Sequence, residues 1–197
     1  MIENQFYQNE DVCAIAKNLI GMELFTHFDN VLCSGFIVET EAYAGISDKA
    51  SHAFGARFTP RTKTMYENGG IAYVYLCYGI HSLFNIVTNK RGIPHAVLIR
   101  AIQPNQGIDM MSKRRNFPKN KLLLGNGPGT LTKSLGIQLK HNGISLNSDN
   151  IYIKKGLEIN PDEIISSPRV GVSYAKEDAL LPYRFRLKGN IYCSPAK

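Results

Sequence analysis

The spacing of apolar residues predicts a helix near the beginning of the chain. Between residues 10 and 20, apolar side chains recur at i, i+3, i+4 and i+7, so they share one face of a helix that packs on the core. Asn9 is available to cap the first turn, and Gly21 is available to end the last one. The apolar positions are Val12, Ile15, Ala16 and Leu19.

After this helix, β-rich apolar runs separated by turn residues predict a sheet. Asp29 and Asn30 join the first two runs in a hairpin-like turn, and a turn around Gly79 joins the next two. Because such short connections join antiparallel neighbours, we predict a mostly antiparallel sheet. The five runs span residues 22–28, 31–43, 71–78, 82–89 and 95–102.

The second half of the chain mixes short helices with short strands. Strands and helices do not alternate regularly, which argues against a parallel α/β sheet. The pattern therefore predicts the α+β class, with residues 1–197 forming a single mixed domain in which helices flank the sheet. The later elements are helices over residues 105–116 and 128–135, and strands at 151–154, 169–173 and 183–188.

Charge is distributed unevenly along the chain. The formal net charge is +7, and residues 68–148 hold ten basic side chains and one acidic side chain. Gathered on one face, this block would attract a polyanion and release its counterions, as nucleic-acid-binding surfaces do. A generally basic surface with no partner is the alternative interpretation.

Nothing in the sequence indicates export or membrane insertion. The opening residues MIENQFYQNE are polar and acidic, unlike a targeting peptide. The apolar runs are far shorter than the roughly 20 residues of a membrane-spanning helix. We therefore expect an intracellular protein of the cytoplasm or nucleoid, or of the nucleus in a eukaryote, with no membrane partner.

Cofactor-binding patterns are weak or missing. Cys13, Cys33, Cys77 and Cys193 show no CxxC spacing and are interpreted as reduced thiols. No HExxH pattern occurs, so we expect no metal and no other cofactor. The glycine-rich residues 125–129 precede a predicted helix and could offer amides to a phosphate, but they lack the lysine of a P-loop.

The run from Val38 to Tyr43 carries two acids close together. On a strand, Glu39, Glu41 and Tyr43 share one face, because side chains alternate with period two. Two ionised carboxylates at this spacing repel each other unless one is paired or serves as a proton acceptor. An exposed strand edge with salt-bridged acids is the alternative interpretation.

Aromatic and histidine residues downstream suggest a surface that handles nucleic-acid bases. Tyr78 precedes Gly79 and could project from a hairpin tip, where an aromatic wedge can separate base steps. Residues 47–48 could cap a short helix that presents His52. The alternatives are tyrosine rings packed in the core and a histidine with a structural role.

Five long motifs follow one another along the chain: IVETEAYAGISDKASHAFGARFTPRTKTMY, AYVYLCYGIHSLFNIV, AVLIRAIQP, GNGPGTL and RVGVSYAKEDALLPYRF. In this order they resemble the alkyladenine (3-methyladenine) DNA glycosylase family. The resemblance runs from about residue 10 to residue 188 and implies a single domain built around a curved antiparallel sheet. It also implies base-excision repair: hydrolysis of the N-glycosidic bond of alkylated or deaminated purines, such as 3-methyladenine and hypoxanthine, after base flipping.

The resemblance implies catalytic roles for three positions. Glu41 corresponds to the general base, held with Arg100 and the backbone carbonyl of Val170 around the attacking water. Glu39 has no catalytic role in this family and is expected to be structural. Because no lysine is indicated as a nucleophile, we expect water attack that leaves an abasic site in an intact strand.

The same resemblance implies a base-binding pocket. Tyr43 and Tyr75 would stack on the flipped base from opposite sides, and His52 would bind its edge. Asn85 would help to exclude purines that carry an exocyclic amino group. Tyr78 would intercalate into the DNA and fill the gap that the flipped base leaves.

The expected partner is double-stranded DNA that contains damaged purines, bound by a monomer. A nucleic-acid-binding module without catalysis is one rival hypothesis, since the basic block and exposed tyrosines would serve it equally well. A metal-dependent hydrolase is a second rival. Release of a damaged base separates the glycosylase from the first rival, and insensitivity to chelators separates it from the second.

Overall fold

The computed structural model describes residues 1–195, and within them the chain forms an α+β fold around one sheet of eight strands. All the strand pairs in these residues are antiparallel, which confirms the predicted class and sheet type. The strands are β1 (Glu23–Phe28), β2 (Val31–Tyr43), β3 (Ala72–Cys77), β4 (His81–Thr88), β5 (His95–Gln106), β6 (Ile151–Lys154), β7 (Ile164–Ser167) and β8 (Arg184–Leu187). Six follow the order β3-β4-β5-β2-β1-β6, and β8 pairs with both β2 and β7.

Short helices pack against this sheet. Within residues 1–195 they are α1 (Asn4–Tyr7), α2 (Val12–Asn18), α3 (Ile108–Arg114) and α4 (Pro128–Leu135). Helix α2 lies against β2 and β5, and α4 lies against β4 and β5. In the part of the chain that the structure describes, no helix has both the length and the apolar character needed to cross a membrane.

Helix α2 follows the predicted apolar pattern. Ile15 is buried in the main core, as expected for the inward face of this helix. The predicted cap is wrong: the Asp11 carboxylate accepts the backbone N–H groups of Cys13 and Ala14, at 2.8 and 2.9 Å. The Asn9 side chain instead accepts the N–H of Asp11 and so supports the capping residue.

The two predicted hairpins share one kind of turn. Asp29 and Asn30 have φ of 54° and 60°, and Tyr78 and Gly79 have φ of 51° and 72°. Consecutive positive φ angles match the right-handed twist of the flanking strands and allow a tight reversal. The second turn therefore places Tyr78 at the tip between β3 and β4.

Two predicted elements differ from the structure. The strand predicted at residues 169–173 is wrong, because the side chain of Arg169 and the backbone N–H of Val170 bind groups on β2 and its following loop instead of a neighbouring strand. The helix predicted from residue 105 begins later, at Ile108, because β5 continues to Gln106. Strand β7 was not predicted from the sequence.

Candidate active site

A pair of irregularities in the sheet brings acidic and basic side chains to one face. Three register shifts interrupt the pairing of β2 with β5, and two neighbouring ones leave Val38 extra on β2 and Arg100 extra on β5. Bulges of this kind redirect side chains and occur often beside active sites. Here the shifts allow Arg100 to reach the face that carries Glu39 and Glu41.

Glu39 is the centre of a buried ionic cluster. One carboxylate oxygen accepts from the Nε groups of Arg100 and Arg184, both at 2.7 Å, and from the Ser194 hydroxyl at 2.8 Å. The other oxygen accepts the Ser194 backbone N–H at 2.5 Å. Burial alone would raise the pKa of Glu39, but the two guanidinium groups hold it below its ordinary value. The cluster fixes the position of Arg100.

Glu41 is fully buried, and three groups from different parts of the fold surround it. Its Oε2 accepts from the Tyr43 hydroxyl at 2.8 Å. Its Oε1 accepts the backbone N–H of Val170 at 2.8 Å and lies 3.3 Å from Nη1 of Arg100. The predicted catalytic residues are therefore neighbours. Val170 contacts the carboxylate through its N–H, whereas its carbonyl is the group that the sequence predicts beside the attacking water.

Tyr43 connects this carboxylate to an aromatic pocket. Burial and the charge of Glu41 raise the pKa of Tyr43 well above its ordinary value, so its hydroxyl stays protonated and donates to Glu41. The pocket has about 330 Å³ of empty space, part of it open to solvent.

The predicted base-binding residues all line this pocket. They are Tyr43, His52, Tyr75 and Asn85. Asn85 is buried on β4 and donates from Nδ2 to the carbonyl of Tyr73, its partner on β3, at 3.2 Å. Tyr174 also lines the pocket and was not predicted, because it lies in an irregular segment with no periodic pattern.

His52 is held in one protonation state. Its Nδ1 lies 2.9 Å from the Tyr73 hydroxyl, and its Nε2 lies 3.3 Å from Nη2 of Arg61. Arginine can only donate, so Nε2 accepts and Nδ1 carries the proton that is donated to Tyr73. Burial and the positive charges of Arg61 and Arg57 lower the pKa of His52 to about 4. The imidazole is therefore neutral at physiological pH.

A buried ion pair that the sequence did not reveal supports the pocket. Arg169 binds both oxygens of Asp48 and donates from Nη1 to the carbonyl of Ala42 at 2.9 Å. Its guanidinium also lies over the Tyr43 ring, 4.8 Å from the centroid. The expected short helix capped by Asp48 does not form. Instead, Asp48 accepts backbone N–H groups of its own loop and pairs with Arg169.

The hairpin tip and part of the basic block lie on the same surface. Tyr78 is 92% exposed, as a wedge at the tip would be. A cleft beside the tip is lined by Ile80 and His81 and by two basic residues, Arg114 and Lys133. Side chains of this kind could contact a DNA backbone on either side of an inserted ring.

The cysteines fit structural roles. All four are free, and burial raises the pKa of Cys13 and of Cys193 to about 11. Thiols with raised pKa values are poor nucleophiles at neutral pH. Among residues 1–195, no group of three or more His, Cys, Asp or Glu side chains is arranged so that it could hold a metal ion.

Comparison with known proteins identifies the family. The model of the methylpurine-DNA glycosylase family matches residues 5–191. The chain belongs to this family. Several bacteria have similar proteins, which carry the provisional name 3-methyladenine DNA glycosylase.

The similarity to these family members covers nearly the full length of both chains. The relative from Chlamydia felis is 47% identical over 188 residues, which cover 95% of this chain and 96% of the relative. The relative from Chlamydia abortus is 48% identical over 95% of this chain and 98% of its own. A more distant relative from Clostridium acetobutylicum is 42% identical over 98% and 97%.

Proposed function

We propose that the protein is a 3-methyladenine DNA glycosylase that acts in base-excision repair. Its substrates are alkylated purines and the deaminated purine hypoxanthine in double-stranded DNA. The observation that carries this proposal is the buried Glu41 carboxylate, bound to Arg100 and to the Val170 backbone beside an aromatic pocket. The names of the relatives support the same substrate class.

Glu41 acts as the general base in the proposed mechanism. Breaking the N-glycosidic bond develops positive charge on the sugar, so a nearby carboxylate helps both by deprotonating water and by opposing that charge. Arg100 and the Val170 backbone hold the carboxylate in place. One acid is sufficient for a cationic alkylpurine, which leaves readily, whereas neutral hypoxanthine also requires protonation.

The aromatic pocket binds the damaged base after it leaves the stack. Rotating a nucleotide out of the duplex costs a few kcal/mol, and least for damaged or mispaired bases. Stacking on aromatic side chains can return about 1 to 3 kcal/mol per base. Tyr43 and Tyr75 provide these surfaces, Asn85 lines the same pocket, and Tyr78 fills the gap in the duplex.

In this proposal the protein binds cellular DNA as a single-domain monomer. One damaged nucleotide requires one pocket, and the exposed Tyr78 and the neighbouring basic residues provide the contacts to the duplex. A binding module without catalysis would not need a buried carboxylate paired with arginine. The cost of burying such charges therefore favours the enzyme over the binding module.

The test uses duplexes that carry a single hypoxanthine or a single 7-methylguanine, with an undamaged duplex as the control. We expect release of the free base from the damaged duplexes, and a strand that stays intact until alkali cleaves it at the abasic site. Excess chelator should leave the rate unchanged. No base release, or a covalent complex trapped by borohydride, would contradict the proposal.

A further inference from the structure

The guanidinium of Arg61 lies against two side chains that line the base pocket, those of Tyr75 and His52. Its central carbon is 4.8 Å from the centroid of the Tyr75 ring, and its Nη2 is 3.3 Å from Nε2 of His52. Burial raises the pKa of Tyr73, and the positive charge of Arg61 opposes that rise. A planar cation therefore lies against three of the aromatic side chains that line the pocket.

Arg61 has no acidic partner in the part of the chain that the structure describes. Within residues 1–195, no carboxylate lies at ion-pair distance from Arg61, whereas the exposed cations Lys90 and Arg91 have acidic partners. Arg61 is also an exposed residue, so its side chain can move away when a larger group enters. Its interaction with the Tyr75 ring is a cation–π contact, which places the positive charge next to a surface on which a base would stack.

We propose that Arg61 determines lesion preference by placing a positive charge at the Tyr75 wall, so that the pocket favours neutral damaged purines over cationic ones. This inference rests on the proposed glycosylase function. A neutral purine such as hypoxanthine stacks on Tyr75 without charge repulsion. A cationic purine such as 7-methylguanine meets a like charge beside the pocket, and both cations draw on the electrons of the same Tyr75 ring.

The expected effect is moderate because Arg61 is exposed. Like charges about 5 Å apart at a protein surface, screened by solvent, change an equilibrium by about two- to fivefold. The effect should appear in the ratio of activities on the two lesions. A general loss of DNA affinity would change both activities equally and would leave that ratio unchanged.

Two substitutions separate the charge of Arg61 from its hydrogen bond. Arg61→Gln removes the charge but keeps an N–H donor for His52, and Arg61→Lys keeps the charge. Arg57→Gln is the matched control, because Arg57 lies in the same loop and lowers the pKa of His52 less than Arg61 does. Melting temperatures of all variants verify that each protein is folded.

The measurement is the ratio of single-turnover rate constants for release of hypoxanthine and 7-methylguanine from otherwise identical duplexes. We expect Arg61→Gln to lower this ratio by about two- to fivefold, with Arg61→Lys and Arg57→Gln close to the wild type. An unchanged ratio in Arg61→Gln, or an equal shift in Arg61→Lys, would overturn the role of Arg61.

The same data distinguish this inference from the proposed function. A wild-type protein that releases neither base would refute both proposals. A wild-type protein that releases both bases, with a ratio unaffected by Arg61→Gln, would refute only the role of Arg61. A wild-type protein active on 7-methylguanine but inactive on hypoxanthine would also overturn the inferred preference for neutral purines.

Discussion

Replacing Glu39 by glutamine should lower the free energy of unfolding while leaving the proposed general base, Glu41, unchanged. Both oxygens of Glu39 face donors: two arginine Nε groups and the hydroxyl on one side, and the backbone N–H of Ser194 on the other. A glutamine must turn its amide NH₂ toward one of these sides. Either orientation sets donor against donor and leaves Arg100 and Arg184 with less negative charge.

The size of this effect follows from the burial of the cluster. Glu39 is completely buried, and Arg100 and Arg184 are nearly so. Removing one partner of a buried ion pair costs about 3 to 5 kcal/mol. Because a protein of this size has a free energy of unfolding of about 5 to 15 kcal/mol, the loss is a large fraction of the total.

Glu41→Gln is the matched control for this experiment. The Tyr43 hydroxyl can reverse and accept from a glutamine NH₂, and the glutamine oxygen keeps the Val170 N–H. Because Arg100 also keeps its closer ion pair with Glu39, no buried charge is left without a partner, and we expect a loss of only about 1 kcal/mol. Urea titrations of both variants, with the wild type beside them, measure the difference. Equal stabilities for Glu39→Gln and Glu41→Gln would refute the account of the cluster.

Two further predictions concern the hairpin tip and the pocket. Tyr78→Ala should change the free energy of unfolding by less than about 0.5 kcal/mol, because the side chain is 92% exposed. The same substitution should slow base release from a fully paired duplex more than from single-stranded DNA. Equal slowing on both substrates would contradict the role of Tyr78 as an intercalating wedge. For His52, whose pKa is about 4 instead of 6.5, the imidazole nitrogen signals should stay those of a neutral ring from pH 8 to pH 5. Because the folded chain then binds fewer protons than the unfolded chain, His52 should stabilise the fold less as the pH falls from 6.5 toward 4, and a ring that titrates near pH 6.5 would contradict its assigned environment.

The parts of the fold that depend on neighbouring residues could be predicted from the sequence. The apolar spacing around Ile15 predicts α2, and the paired turn residues Asp29 and Asn30 predict the first hairpin, because both signals are local. The shared face of Glu39 and Glu41 follows from strand period alone. These predictions required no knowledge of distant contacts.

The rest of the site depends on contacts between residues far apart in the chain. Arg100 reaches Glu41 only because compensating bulges interrupt the pairing of two strands, and no periodic pattern signals such a bulge. Arg169 reaches Asp48 across more than a hundred residues, and its neighbour Val170 binds Glu41 instead of extending a strand. The residues of the pocket were predicted by resemblance to the family. Such a resemblance reports which distant residues come together in the fold, whereas the periodic pattern of a single segment does not.

The most direct test of the central claim is the effect of Glu41→Gln on catalysis and on binding in the same preparation. We expect single-turnover release of hypoxanthine to fall by about a hundredfold or more, because the general base is removed. Affinity for the damaged duplex should stay close to that of the wild type. Release at an undiminished rate by the folded variant would contradict the role of Glu41.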